Sequence, residues 1–324
     1  MSQKRRIIKL SRFVGKWSLS RIIRWAVFLF VSWWVFSNWH SDITVNELSK
    51  QYAYSDSQWI SVDGQAIHCR IRGKGAPIVL LHDEGSSLHT WNQWLDSLSL
   101  KYKVISVDMP GFGLTGPNPR GSYSTFMYAS FLEHFTDTLQ LQRFTLAGVG
   151  LGAQIAWFYA SEHPERLDKL ILIGAEGFEK NGTSLITLLG RTPVVNSILW
   201  HITPRAFFKI MLEEMYADDR LVSDSLIQRH FDLALRPGNR KAFTDRVSVR
   251  ENRPPSDFVE QITTPSLILW GAEDAMISPQ HAYDFHRRIK GALLKIYRNT
   301  GHWPQEENPM ESLTDVKAFL EGKF

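Results

Sequence analysis

Residues Phe144–Ala153 read FTLAGVGLGA. The apolar, β-prone run Phe144–Ala147 stops in a Gly-x-Gly-x-Gly turn, and a helix-like segment, Gln154–His163, follows at once and is closed by Pro164. A strand, a sharp turn and a helix are therefore predicted within twenty residues, with Gly150 at the tip of the turn.

Outward from this unit, strands and helices alternate. On the N-terminal side, Trp59–Val62 and Gln65–Ile71 flank Asp63-Gly64, a pair suited to the positive φ of a hairpin turn. Pro77–Leu81 is a continuous apolar run, as expected for a strand covered on both faces. A helix over 90–100, a strand over 103–108 and a helix over 124–140 lead into the central unit (strand 144–148, helix 151–163), and a strand over 169–174 follows it. Residues 177–256 break the rhythm. Their pattern is helical over 185–190, 194–201, 205–216 and 221–236, with Pro193, Pro204 and Pro237 between, and the stretch ends at Pro254-Pro255. The alternation resumes with strand Ser266–Trp270, helix 279–289, strand Leu293–Arg298 and a terminal helix over 309–322. The fold class predicted is α/β: a mostly parallel sheet, helices on both faces, and a helical lid over the crevice at the strand carboxyl ends. The core spans 58–176 and 257–324, the lid 177–256, and a polar connector 40–57.

Five loops then fall at strand carboxyl ends. They are His82-Asp83-Glu84-Gly85-Ser86-Ser87, Asp108-Met109-Pro110-Gly111-Phe112-Gly113, Gly148–Gly152, Gly271-Ala272-Glu273-Asp274 and Gly301-His302-Trp303-Pro304. In order and content they resemble the α/β-hydrolase superfamily, in particular lidded bacterial members related to esterases, epoxide hydrolases and C–C bond hydrolases. The resemblance covers roughly 55–324. It implies that Asp274 is the acid and His302 the general base of a catalytic triad, and that the loop of His82, Asp83 and Glu84, with Leu151, borders the oxyanion and substrate pocket.

Two departures follow from the same comparison. The nucleophile elbow of that family is G-x-S-x-G, and here its central position is Gly150. Removing the serine of a triad costs roughly a millionfold in turnover, so the standard serine mechanism is expected to be absent or severely impaired. The first loop, usually His-Gly-x, reads His82-Asp83-Glu84. A carboxylate about 4 Å from a nascent oxyanion would oppose it by about 4 kcal/mol at an effective dielectric of 20. Ser86, Ser87 and Thr115 do not sit on the elbow and read as turn residues, whereas a water activated by His302 could still attack. Two functions stay open: binding of a small apolar ligand or a partner without serine chemistry, and hydrolase or lyase action on small ester or carbonyl substrates through His302-Asp274 and water.

A rival fingerprint overlaps the elbow. Gly148-x-Gly150-x-x-Ala153 matches the dinucleotide turn, with Glu176 as a ribose acid, but at least four strands precede it, where that fingerprint belongs on the first. No cofactor is expected. His281 and His286 do not share a helix face and no Cys/His cluster exists, so no metal is expected either.

The formal charge of +4 at pH 7 averages two unlike parts. Residues 1–24 carry Lys4, Arg5, Arg6, Lys9, Arg12, Lys16, Arg21 and Arg24; without these eight, the chain holds 29 basic against 33 acidic residues. The folded part therefore gives no electrostatic footprint for nucleic acid. Trp25–Trp39, WAVFLFVSWWVFSNW, follows the basic tail and predicts a membrane anchor over 25–39. On that expectation the lipid bilayer is a partner, the N-terminus is cytoplasmic and the globular part lies on the outer side. Cys69 is the single cysteine, so no internal disulfide forms.

Overall fold

The computed structural model describes residues 19–178, 201–249 and 255–324. It divides into two units, Met1–His40 and Ser41–Phe324.

Among the described residues of the first unit, helix α1 runs Leu19–Ser37. No helix among the described residues is long and apolar enough to cross a membrane. The span expected over 25–39 is therefore not supported. At 1.5 Å per residue a helix of 19 residues reaches about 28 Å, short of a ~30 Å hydrocarbon core. Arg21 and Arg24 also lie in its first two turns.

The second unit begins where a polar connector was expected, and the structure corrects that reading. Val45–Tyr52 forms α2, whose N-terminus carries a capping box: Thr44 Oγ1 accepts from Glu47 N–H while the Glu47 carboxylate accepts from Thr44 N–H. The segment docks on later helices, with Ile43 N–H bonded to Leu235 O at 2.9 Å and the Tyr52 hydroxyl donating to Asp232 at 2.6 Å.

Eight strands form one sheet in the order β1-β2-β4-β3-β5-β6-β7-β8. They are β1 (Ser57–Val62), β2 (Gln65–Arg72), β3 (Pro77–Leu81), β4 (Lys103–Val107), β5 (Phe144–Val149), β6 (Leu167–Ile173), β7 (Ser266–Gly271) and β8 (Leu293–Tyr297). The β1–β2 and β2–β4 pairs are antiparallel, and every other pair is parallel. Burial follows from this placement. β5 lies in the middle of the sheet and is buried at all six positions, which is why its sequence reads as unbroken apolar β rather than alternating.

Helices α3 (Asn92–Leu98), α4 (Thr125–Thr138) and α5 (Leu151–Glu162) follow β3, β4 and β5. Between β6 and β7 come α6 (Arg205–Met215), α7 (Asp224–Ala234) and α8 (Asn239–Ser248), the last of which had not been expected. The helices predicted over 185–190 and 194–201 fall almost wholly outside the described residues. After β7 come α9 (Gln280–Arg288), β8, the short α10 (Pro304–Glu307) and α11 (Pro309–Leu320).

The topology positions the site. From β3 the chain crosses to β4 on one side and then to β5 on the other. The loops after β3 and β5 thus diverge from adjacent strand ends, where an open α/β sheet forms its ligand crevice. Close packing sharpens the turn after β5. A Cβ at Gly152 would press on the backbone carbonyls of Leu81 and His82, so glycine there lets α5 begin directly against the end of β3.

Candidate functional site

Gly150 caps α5 at φ +54° and ψ −113°. Positive φ at a non-glycine residue is strained, so the turn keeps the tight geometry of an elbow while carrying no side chain at its tip. The volume that a side chain would fill is taken by Asp83. A Cβ on Gly150 would overlap Asp83 Cγ and Oδ1 and stand 2.5 Å from Oδ2.

Asp83 reaches this point because its loop is tied down behind it. His82 is fully buried; its Nε2 accepts from Met109 N–H at 3.0 Å, which leaves Nδ1–H to donate to Asp83 O at 2.7 Å. His82 is therefore a strut and not a pocket residue, and burial holds its pKa below the ordinary histidine value. Glu84 turns its carboxylate toward Arg246, 3.8 Å away, and contributes its backbone instead.

The Asp83 carboxylate is held at both oxygens. Oδ1 accepts from Glu84 N–H at 2.7 Å and from Leu151 N–H at 2.8 Å. These are the two amides that would stabilise an oxyanion in a serine hydrolase of this fold. Oδ2 accepts from His302 Nε2–H and from the Trp303 indole N–H, each at 3.1 Å. Burial alone would raise the Asp83 pKa, but the His302 hydrogen bond and charge, with the two N–H donors, lower it, so the group is anionic.

His302 lies between two carboxylates. Its Nδ1 is 2.7 Å from Asp274 Oδ2 and its Nε2 faces Asp83. Burial opposes the imidazolium, yet Asp274 and then Asp83 outweigh it and raise the pKa to about 10. At neutral pH both ring nitrogens thus carry protons. Asp274 is oriented in turn by the N–H groups of Met276 at 2.9 Å and Ile277 at 2.8 Å, which bond its other oxygen. Residues at the end of α6 and in α7 brace the far side of the site: His302 N–H bonds Met215 O at 2.7 Å, and the Trp303 ring lies between Tyr216, edge-on at 5.8 Å, and His230, stacked at 5.8 Å.

The structure therefore brings together Gly150, Leu151, Asp83, Asp274 and His302, and assigns Glu84 a backbone role and His82 a supporting one. Ser87 bonds His89 two residues on at 2.9 Å, and Thr115 accepts from the N–H of His68 on β2 at 2.9 Å; neither reaches the elbow. The turn that a dinucleotide phosphate would require is filled by the Asp83 carboxylate, so the Gly148–Ala153 fingerprint is an elbow. Among the described residues no group of three or more His, Cys, Asp or Glu side chains could hold a metal ion.

Sequence reasoning missed two features. Trp303 was read only as part of a motif, although its indole is one of the donors to Asp83. A second relay also exists: Ser57 Oγ lies 2.8 Å from His68 Nε2, and His68 Nδ1 lies 2.7 Å from Asp108 Oδ2. Asp108 is fully buried; burial opposes its charge, but His68 above all lowers its pKa to about 2. Its oxygens also accept from Leu88 and Leu114 N–H, both at 2.8 Å, and Ser57 Oγ accepts from Tyr54 N–H at 2.9 Å. This relay ties loops to the β1–β2 hairpin. Ser57 and His68 sit on strands whose register, not their spacing in sequence, makes them neighbours.

Comparison with known proteins identifies the fold. An uncharacterized Mycobacterium tuberculosis protein is 26% identical over 286 residues, spanning 82% of this chain and 81% of its own. The 2-hydroxy-6-oxo-2,4-heptadienoate hydrolase of Pseudomonas putida is 29% identical over 260 residues, spanning 76% of this chain and 90% of its own. Among solved structures, a meta-cleavage product hydrolase of Pseudomonas fluorescens superposes with a TM-score of 0.72 at 23% identity, over 82% of this chain and 98% of that one. The profile of the alpha/beta hydrolase fold matches residues 76–309, and the chain belongs to that family.

Proposed function

We propose that the protein is a hydrolase in which the Asp83 carboxylate replaces the missing elbow nucleophile and His302-Asp274 drives the second half of the reaction. The observation that carries this reading is the double placement of Asp83. One oxygen sits in the pair of oxyanion amides and the other faces His302, in the space a Gly150 side chain would occupy.

The chemistry follows from which groups are free. With both amides engaged by Oδ1, a substrate carbonyl would find no oxyanion donors there while Asp83 stays in place. Attack on a saturated electrophilic carbon, such as an epoxide carbon, needs none. Oδ2 forms a C–O bond, the ring C–O bond breaks, and the alkoxide takes a proton from water, leaving an aspartyl ester. The ester is neutral, so His302 loses one of the two anions that hold its second proton. It releases that proton to solvent and becomes a base supported by Asp274 alone. Water activated by His302 then attacks Asp83 Cγ. Charge collects on Oδ1 between the Leu151 and Glu84 amides, the diol leaves, and the carboxylate returns carrying one oxygen from water.

Water activated by His302 on ester or carbonyl substrates, with Asp83 swung aside, is the second reading; it is favoured by relatives named as 2-hydroxy-6-oxo-dienoate hydrolases. The test is turnover in H2(18)O with styrene oxide, 1-bromobutane, p-nitrophenyl acetate and a 2-hydroxy-6-oxo-dienoate, followed by mass spectrometry of the peptide containing Asp83. Turnover of the epoxide or the halide with label in Asp83, abolished in Asp83→Asn, is the expected result. Turnover with label in product alone transfers the role to water. Silence on the whole panel overturns the hydrolase reading in favour of ligand binding.

A further inference from the structure

A separate cavity of about 340 Å³ opens between the loop after β3, the lid helices and α10. That size is at the lower end for small-ligand sites. Leu221 and Leu226 supply an apolar wall, while Arg229, Gln305, Glu306 and Tyr216 supply polar groups. Neither Asp83, Asp274 nor His302 lines it.

Two of its polar groups lack partners. Arg229 makes no hydrogen bond or ion pair among the described residues, and its Nε is buried. Gln305 is fully buried; its Nε2 donates to Thr90 at 2.9 Å, but its Oε1 has no donor. Both unpartnered atoms, Arg229 Nε and Gln305 Oε1, are themselves shielded, so the group the cavity offers a ligand is the outer part of the half-buried Arg229 guanidinium. The cavity's own carboxylate, Glu306, accepts from the hydroxyls of Thr90 and Tyr216 and makes no ion pair with Arg229 among the described residues. Nor does His89 add a competing charge: burial and then Arg229 lower its pKa to about 4, and it is neutral.

We infer that this cavity binds a small carboxylate, the anion facing the Arg229 guanidinium and the body of the ligand against Leu221 and Leu226. A guanidinium presents paired donors that match a carboxylate. The inference stands whether or not Asp83 reacts.

The test is titration calorimetry of the full chain with 4-hydroxybenzoate, beside 4-hydroxybenzyl alcohol, which lacks the anion. Saturable binding of the acid is expected, weakened roughly tenfold or more without the anion. Arg229→Gln should weaken 4-hydroxybenzoate to the level of the alcohol while leaving the melting temperature unchanged, since Arg229 holds nothing in the free protein. No saturable binding of the acid, equal affinity for acid and alcohol, or undiminished binding in a folded Arg229→Gln variant would each overturn the assignment. If that variant fails to fold, the comparison of acid and alcohol on the natural chain decides alone.

Discussion

Restoring a serine at the elbow by Gly150→Ser is the obvious repair, and the structure predicts that it fails alone. The new Cβ would overlap Asp83 Cγ and Oδ1. Because φ is +54°, the backbone cannot easily turn the side chain elsewhere without adding strain. The Asp83 carboxylate must therefore leave its site and give up the Leu151 and Glu84 amides, the Trp303 indole and its ion pair with His302. Breaking a buried pair in this way costs about 3–5 kcal/mol, which in a domain of this size lowers the melting temperature by roughly 10 °C. The oxyanion amides gain nothing useful while the displaced carboxylate stays near them. Asp83→Gly/Gly150→Ser removes the overlap, frees both amides and should recover most of the lost stability. It should also hydrolyse p-nitrophenyl acetate with a burst of one equivalent, lost on adding His302→Ala. Thermal melts and stopped-flow absorbance on the three variants make the comparison. A Gly150→Ser protein that melts with the parent, or hydrolyses the ester as fast as the double variant, would refute the placement of Asp83.

The same geometry sets a pH dependence. The His302 pKa is raised to about 10, above an unfolded value of about 6.5, so its contribution to stability is full below pH 6.5 and is lost as pH rises through about 10. Urea midpoints should accordingly fall between pH 7 and pH 10, and fall less in Asp83→Asn; ¹⁵N spectra at pH 8 should show both His302 nitrogens protonated, and a single protonated nitrogen would contradict the bridging arrangement. Ser57→Ala should remove the bond to His68 at a cost of about 1 kcal/mol and leave turnover alone, because that relay supports loops. A collapse in turnover, measured on whichever substrate the labelling experiment identifies, would give Ser57 a chemical role instead.

Much of the fold could be read locally. The apolar run of β5, the glycines that follow it and Pro164 at the helix end each impose their own conformation. The strand limits Gln65–Arg72, Pro77–Leu81 and Ser266–Gly271 lie within a residue of those expected. α2 was legible in principle, since Thr44 and Glu47 spell a capping box, but so short a helix depends on its docking to α7. The 25–39 segment shows the opposite case. Its apolar composition suggested a span, whereas the length and the placement of Arg21 and Arg24 along the folded helix fall short of one.

For the site, the sequence alone determined glycine at the tip of the elbow turn and the presence of His302, Asp274 and an unusual Asp83, because each is a matter of residue identity at a recognisable turn. Only the tertiary structure decided what Asp83 does with its charge. The β3–β5 adjacency at the crossover brings residue 83 to residue 151, and the loop after β8 brings His302 and Trp303 to the same carboxylate. Sequence could forecast a repulsive anion beside an oxyanion hole. It could not show that the anion takes up the Glu84 and Leu151 amides, because that depends on side-chain direction and on donors supplied by segments about 70 and 220 residues away, and those are set by packing rather than by local pattern.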